Sequence, residues 1–305
     1  MGTAPFAVPC LKALAASGRE VAAVVTQPDR PTGRGLKLQA SAVKLAAVEL
    51  GLPVLQPERA SHPDFAEQLR ALAPERIVVV AYGQILKPHV LDIPPGGCVN
   101  VHGSILPELR GAAPIAWAVI RGYAETGVTT MCMDPGMDTG DMLLWESIPI
   151  GETETAGELA ERLAPLGAAL LLRTLDGLER AELTPVPQDS SCATYAPLLK
   201  RETGSIDWSR PAGEILHLIH GCNPAPGAFT LESGQVLKIW RARPAGSAGG
   251  MAGEVMTLDP LTVACGEGTL ELVEVHPAGR ARCSGSEVAR GRRWAIGSRL
   301  GEGSE

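Results

Sequence analysis

The sequence lacks an excess of positive charge. Its 305 residues include 27 Lys and Arg against 34 Asp and Glu, which gives a net charge of −7. This balance argues against a protein held on nucleic acid by a generally basic surface, although it leaves room for a local RNA contact. Hydrophobic residues make up 45% of the chain and charged residues 20%. The chain is therefore globular, with a sizeable core and enough length for two domains.

Closely spaced cysteine pairs and long apolar runs are also missing. The seven cysteines are odd in number and widely separated, and no Cys-x-x-Cys occurs. This pattern disfavours a disulfide framework or a thiol-rich zinc site and predicts reduced thiols in a cytoplasmic protein. No leader sequence and no apolar run of membrane-spanning length is found, so we expect no membrane partner.

Signatures of nucleotide-binding and hydrolase sites are absent. Gly33 and Gly35 lack the third glycine of the dinucleotide fingerprint, and no phosphate-binding loop occurs. There is no Gly-x-Ser-x-Gly turn, which weighs against a serine hydrolase. Ser104 lies near His102 in sequence, but close neighbours rarely form a catalytic pair, so a turn role is predicted for Ser104.

Two histidines and a cysteine lie close enough in sequence to suggest a metal site. His217 and His220 are three residues apart on a predicted helix, and Cys222 follows them. No further thiol stands close by, so we expect these side chains to pack and predict no metal.

The first 180 residues alternate apolar strands with amphipathic helices. The pattern predicts strands at 21–26, 53–55, 77–80, up to His102, 128–133 and 142–150, and helices at 6–14, 42–50, 64–72, 114–120 and 155–180. Such alternation is typical of an α/β fold with a doubly wound, mostly parallel, Rossmann-like sheet. In these sheets ligands bind at the carboxyl ends of the strands.

The last hundred residues follow a different pattern. Short β runs at 236–240, 253–257, 261–265 and 270–275 predict a small antiparallel β-barrel of the OB-like kind. The predicted division is a first domain of residues 1–190, a linker of 191–204 and a second domain of 205–305. Residues 280–299 carry six arginines and one glutamate. Such a basic strip either contacts a phosphate backbone or forms a solvated terminal face.

Asn100 and His102 form the candidate active site. They share one face of a predicted strand, because side chains alternate along a strand. An amide donor beside an imidazole is a layout for acyl transfer, with Asp138 from a later loop as the carboxylate that orients the imidazole. The alternative is a strand end whose polar residues satisfy loop backbone.

A long polar loop at residues 27–38 is a further candidate. It holds Arg30, Arg34 and Lys37, and loops at the carboxyl edge of an α/β sheet often carry function. The alternative is a mobile surface loop.

These features together resemble the methionyl-tRNA formyltransferase family over nearly the whole chain. The matching stretches are residues 24–31, 33–35, 78–86, 100–114, 125–129, 138–143, 193–196, 206–209 and 237–240. The Asn-x-His and later Asp pattern is shared by enzymes that use 10-formyltetrahydrofolate on amines. The 27–37 loop and the C-terminal domain narrow the resemblance to the tRNA enzymes.

The resemblance implies roles for individual residues. Asn100 and a protonated His102 would stabilise a tetrahedral oxyanion, and Asp138 would pair with His102 and help to move protons. Folate would bind the segment formed by Ser104, Ile105, Leu106 and Pro107, with backbone contacts from Tyr82 and Gly83. The loop with Arg34 and Lys37 and the C-terminal domain would hold initiator methionyl-tRNA, and the protein is expected to be a monomer.

One departure from the family concerns the start of the chain. Family members begin with a short apolar strand, whereas Met1 and Gly2 stand at the loop that follows it. That strand would lie centrally in the sheet, so its absence predicts exposed backbone groups. Either the true start lies upstream, which we favour, or the chain is a catalytically impaired tRNA-binding homologue. Because the Asn-x-His and Asp pattern is common to the whole class, a formyltransferase for a small amine such as an amino sugar or a purine precursor is the other alternative.

Overall fold

The computed structural model describes residues 1–32, 37–246 and 249–301. The chain divides into two units, each assembled from separate stretches of sequence. Unit 1 comprises Met1–Pro114, Thr126–Ile148 and Ala160–Ala196, and unit 2 comprises Ile115–Glu125, Pro149–Leu159 and Pro197–Glu305. The three candidate catalytic residues therefore belong to unit 1.

The strands up to residue 149 form small sheets. They are β1 (Val24–Val25), β2 (Arg30–Thr32), β3 (Lys37–Gln39), β4 (Val54–Leu55), β5 (Ile77–Val79), β6 (Cys98–His102), β7 (Glu125–Cys132) and β8 (Met142–Pro149). Strands β1 and β4 pair in parallel, β2 and β3 form an antiparallel hairpin, and the order of the largest sheet is β5-β6-β7-β8. Buried Val25, Phe65, Leu69 and Val79 belong to one core cluster beneath these strands.

The first two residues lie between β1 and β5. The Gly2 N–H donates to the Val25 carbonyl at 2.9 Å, and the Val80 N–H donates to the Met1 carbonyl at 2.9 Å. The terminal ammonium donates to the Val78 carbonyl at 2.6 Å. Met1 and Gly2 thus occupy the central position that the family resemblance assigns to the missing first strand, and they pair with both neighbours.

Several helices begin with a capping side chain or with a proline. They are α1 (Val8–Ala16), α2 (Ala42–Glu49), α3 (Pro63–Leu72), α4 (Pro88–Leu91), α5 (Pro114–Ile120), α6 (Ala156–Glu179), α7 (Ala212–Gly221) and α8 (Gly285–Arg292). The Ser41 hydroxyl accepts the Lys44 N–H at 3.0 Å, which caps α2. Proline opens α3, α4 and α5, where its missing N–H has no effect. Across the described residues, no helix has the length and apolar character to cross a membrane.

The prediction of a mostly parallel sheet is confirmed only in part, because the sheet is mixed. Strands β5 and β6 are parallel and pair Val79 with Asn100, but β7 runs antiparallel to β6 and pairs Thr129 with His102. Helix α5 has seven residues and is therefore about 10 Å long, too short to return along the sheet. Strand β7 consequently starts at the edge where β6 ends.

Unit 2 contains an antiparallel sheet in the order β11-β12-β13-β10-β9, with one further strand paired to β13. The strands are β9 (Ala228–Glu232), β10 (Gln235–Pro244), β11 (Val255–Leu258), β12 (Leu261–Ala264), β13 (Thr269–Pro277) and β14 (Cys283–Ser284). Buried Ile215, Ile219, Leu237, Val263 and Leu272 are part of its core cluster, which joins α7 to the sheet.

The predicted barrel is not closed. Closure would require β9 to pair with β11, and no such pairing is found among the residues that the structure describes. Other segments occupy both edges: the Ile206 N–H donates to the Phe229 carbonyl at 2.9 Å, and the Val255 N–H donates to the Ser298 carbonyl at 2.8 Å. The OB-like barrel is therefore replaced by an open sheet with bordered edges.

Candidate active site

Strand β6 places Asn100 and His102 at its carboxyl end, on the same side of the sheet. His102 is 5% exposed, Asn100 is half-buried, and both side chains reach the same carboxylate, that of Asp138. Val101 between them faces the other way and lies next to Gly167 of helix α6. The alternation predicted from the sequence is confirmed.

Asp138 reaches this strand end from the loop between β7 and β8. Its Oδ2 accepts the Gly111 N–H at 2.8 Å and lies 3.7 Å from His102 Nδ1, while Oδ1 accepts from Asn100 Nδ2 at 3.4 Å. The residue adopts a left-handed conformation with φ of 54°. A Cβ at Gly140 would lie 1.9 Å from the Cys132 carbonyl oxygen, so this loop requires glycine at that point. The structure thus brings the three predicted catalytic residues together.

The backbone of the loop after β6 fixes the orientation of the imidazole. His102 Nε2 lies 3.0 Å from the Leu109 carbonyl oxygen. A carbonyl oxygen only accepts hydrogen bonds, so Nε2 carries the proton in this contact. Nδ1 is then the nitrogen that faces Asp138, and a doubly protonated imidazolium satisfies both neighbours.

Thr129 of β7 ties the predicted folate segment to the sheet. Its hydroxyl donates to the Ser104 carbonyl at 2.7 Å and accepts the Leu106 N–H at 3.1 Å. The Ser104 hydroxyl is itself bound to the Glu108 carbonyl at 2.6 Å, which is the turn role predicted for it. Leu106 is buried, whereas Ile105 and Pro107 are half-buried.

Tyr82 and Gly83 follow β5, the parallel neighbour of β6. The segments after these two strands therefore leave the sheet at the same edge. The Tyr82 carbonyl accepts from Thr3 Oγ1 and Gln27 Nε2, and burial raises the pKa of its phenol to about 12. Within the described residues, the backbone N–H groups of residues 83–86 donate to no protein acceptor.

The predicted tRNA-binding loop is only partly described. Arg34 lies outside the described residues, and Lys37 begins strand β3. At the base of this hairpin, Asp29 pairs with Lys44 at 2.7 Å and accepts from Gln56 Nε2 at 2.8 Å. The hairpin is thus anchored to helix α2 by an ion pair.

Several arginines of the predicted basic strip lie beside carboxylates of unit 2. Arg282 is 3.1 Å from Glu274, Arg290 is 3.9 Å from Asp259, and Arg292 pairs with Glu232. The positive charge of residues 280–299 is therefore partly neutralised within the unit.

The histidines weighed as metal ligands pack within unit 2. Burial lowers the pKa of His220 to about 4, and its Nε2 accepts the Ala242 N–H at 3.5 Å. In the described part of the chain, no group of three or more His, Cys, Asp or Glu side chains is arranged to hold a metal ion.

Sequence reasoning assigned no role to Arg110 and did not identify Gln188. Arg110 is 2% exposed, and its Nε and Nη2 donate to Gln188 Oε1 at 3.0 and 2.7 Å. The amide nitrogen of Gln188 donates to the carbonyls of Asp138 and Gly140. Gln188 is 78 residues from Arg110 and 50 from Asp138, in a segment without regular structure, so no periodic pattern could have indicated it.

Two family models match the chain. The formyl transferase family covers residues 1–175, and the formyl transferase C-terminal domain covers residues 198–293. The first match contains every candidate catalytic and folate-binding residue, and the second contains the open sheet of unit 2.

Curated relatives and solved structures extend this match. The methionyl-tRNA formyltransferase of Solibacter usitatus is 51% identical over 304 residues, covering 99% of this chain and 98% of the relative. That of Pelobacter propionicus is 52% identical over 303 residues, covering 99% and 95%. The N-formyltransferase of Helicobacter canadensis, solved with folinic acid and dTDP-3-aminofucose, matches with a TM-score of 0.67 and 17% identity, covering 88% of this chain and 95% of that chain. At that identity the structural likeness concerns the fold alone.

Proposed function

The chain belongs to the methionyl-tRNA formyltransferase family, and from this premise we propose that it formylates methionyl-initiator tRNA, using 10-formyltetrahydrofolate as the formyl donor. It would thus be a one-carbon group transferase of translation initiation. The observation that carries the chemistry is the meeting of Asn100, His102 and Asp138 at the carboxyl end of β6. Two donors and a carboxylate around one point suit acyl transfer to an amine.

The reaction begins when the free amino group of the methionyl ester attacks the formyl carbon. A new C–N bond forms, and the formyl oxygen becomes an oxyanion. Asn100 Nδ2 and His102 Nδ1 are the donors for that oxyanion, since His102 Nε2 is already bound to the Leu109 carbonyl. The contacts of these two donors with Asp138, at 3.4 and 3.7 Å, are long, so neither donor is committed to Asp138 when a substrate is bound.

Collapse of the intermediate breaks the bond between the formyl carbon and N10 of the folate. The electron pair returns to N10, which takes up one proton, and the attacking nitrogen gives up one. Asp138 is the group placed to accept the proton of the attacking nitrogen, since its carboxylate lies beside Asn100 and His102. The Gly111 N–H, which donates to Oδ2, helps to keep Asp138 in place during these steps.

The folate co-substrate fits the edge formed by the segments after β5 and β6. The unpaired N–H groups of residues 83–86 can meet the acceptor atoms of a pterin ring. Tyr82, Gly83 and the segment from Ser104 to Pro107 would line this site, with Leu106 supplying an apolar wall. Together these groups supply the apolar surface and few placed polar groups typical of a small-molecule site.

The tRNA would be held elsewhere on the chain. We assign catalysis to a domain of residues 1–190, a linker to 191–204 and tRNA binding to residues 205–305 together with Arg34 and Lys37. Arginines within 280–299 support this assignment, although their partial pairing with carboxylates argues for a few phosphate contacts only. The enzyme would act in the cytoplasm as a monomer.

Substitution of the two ionisable site residues tests the mechanism. H102A and D138A should each lower kcat about 10²- to 10⁴-fold, the range of an acid–base or oxyanion-binding group. The measurement is formyl transfer to charged initiator tRNA, with tRNA binding followed separately and expected to be unchanged. H89A, which removes an exposed histidine, is the matched control. Turnover of both site variants within tenfold of the parent chain would refute the assigned roles.

A further inference from the structure

All four hydrogen-bonding positions of the Gln188 amide are occupied in unit 1. Oε1 accepts from Arg110 Nε at 3.0 Å and Nη2 at 2.7 Å, while Nε2 donates to the carbonyls of Asp138 at 2.9 Å and Gly140 at 2.7 Å. A primary amide offers two donors and an oxygen with two lone pairs, so this side chain is saturated. We propose that Gln188 is a positioning residue that holds the Asp138 loop in its reactive orientation. The inference rests on the proposed function.

The carboxylate of Asp138 is not fixed by its own contacts alone. Its bond with the Gly111 N–H at 2.8 Å has ordinary length, whereas its contacts with Asn100 and His102 are long. Asp138 also has a φ of 54°, a conformation that a side-chain-bearing residue keeps only when its surroundings enforce it. The Gln188 amide binds the carbonyls at and just beyond this residue and supplies that enforcement.

Arg110 provides the fixed point on the other side of the amide. Its backbone N–H donates to the Thr194 carbonyl at 2.9 Å, and its carbonyl accepts the Ala196 N–H at 2.8 Å. Its guanidinium is buried and fork-shaped, so it admits the amide oxygen in one orientation only. That orientation directs the NH₂ group of Gln188 toward the Asp138 loop. Gln188 thereby joins the segment after His102 to the loop that brings the carboxylate.

The substitution Q188E distinguishes a positioning role of Gln188 from a purely structural role. Q188E keeps the shape of the side chain and an acceptor for Arg110, but it places a carboxylate oxygen against the carbonyls of Asp138 and Gly140. A purely structural partner of Arg110 would be preserved or strengthened by this change. A positioning residue would lose its function, because both donors to the loop are gone.

The test is a double-mutant cycle on formyl transfer from 10-formyltetrahydrofolate to charged initiator tRNA, with single-turnover rates for slow variants. We expect Q188E to lower kcat at least tenfold with both KM values within threefold of the parent. Q188E combined with D138A should be no slower than D138A alone, since Gln188 acts only through Asp138. Q68E, a surface substitution in α3, should leave the rate unchanged.

Two results would overturn the inference. One is a Q188E rate within threefold of the parent, and the other is a double variant more than threefold slower than D138A. Thermal unfolding of each variant establishes folding, and Q188M, which also lacks the donors, replaces Q188E if that variant does not fold. An inactive parent chain would instead overturn the proposed function on which the inference depends.

Discussion

At the scale of single residues, the site depends on backbone carbonyls as much as on side chains. The Leu109 carbonyl decides which nitrogen of His102 remains for a substrate, and the carbonyls of Asp138 and Gly140 anchor the loop that carries the carboxylate. Such contacts depend on how separate segments approach one another. A sequence pattern can indicate the functional side chains, but it does not show which backbone carbonyls orient them.

Thr129 offers a prediction at this scale. Its buried hydroxyl satisfies both the Ser104 carbonyl and the Leu106 N–H, so T129V leaves two buried backbone groups without partners. Loss of stability of about 1–3 kcal/mol is expected, the usual penalty for an unsatisfied buried polar group. Urea unfolding measures this loss of stability, and T184V, at an exposed threonine, is the control. An unchanged urea midpoint for T129V would contradict the account of this turn.

Asn100 and His102 could be predicted because they follow local rules, whereas Asp138 lies in a later loop and its role rests on the family resemblance. Strand periodicity puts Asn100 and His102 on one face, and position at a strand's carboxyl end marks them as functional. Gln188 obeys no local rule, since its partners are distant in sequence and its segment has no periodicity. The role of Gln188 can be recognised only from the hydrogen bonds of the folded chain.

At the scale of elements, amphipathic patterns located the helices well, but they did not indicate the direction of every strand. Helices α2, α3, α5 and α6 begin and end within about two residues of the predicted bounds, because serine, threonine or proline marks their starts. The β2–β3 hairpin and helix α8 were missed, since their segments are polar and carry little apolar periodicity. The antiparallel course of β7 was missed because alternation of strands and helices does not encode direction.

Helix α7 yields a prediction about pH. His220 lies on α7 beneath β10, with Arg241, Glu158 and His217 as its charged neighbours, and its pKa is lowered to about 4, first by burial. The unfolded chain binds this proton near pH 6.5, so stability should fall by up to about 3 kcal/mol as the pH drops from 6.5 to 4.

His220→Asn keeps an acceptor for the Ala242 N–H and removes the titrating group. We expect it to flatten the pH dependence of unfolding between 4 and 6.5. Tryptophan fluorescence in urea measures the unfolding of unit 2, because this unit contains Trp117, Trp208, Trp240 and Trp294. His89→Asn in unit 1 is the control, and a slope unchanged in His220→Asn would show that another group is responsible.

At the scale of the whole molecule, composition indicated the class of protein and left its architecture open. The alternation of elements correctly indicated an α/β first unit, and the short β runs correctly indicated an antiparallel sheet in the second. The open edges of that sheet could not be predicted, because they are bordered by residues 205–206 and 298–299 and neither segment has the pattern of a strand. The net charge of −7 is compatible with a tRNA substrate only if phosphate contacts are few and local.

The central claim is that this chain formylates the methionine carried by initiator tRNA, and competing acceptors test it most directly. The chain is given 10-formyltetrahydrofolate with charged initiator tRNA and, in parallel, with a nucleotide-linked amino sugar of equal concentration. We predict rapid transfer to the charged tRNA and no transfer to the sugar above the rate without enzyme. Transfer to the amino sugar together with indifference to charged tRNA would contradict the account.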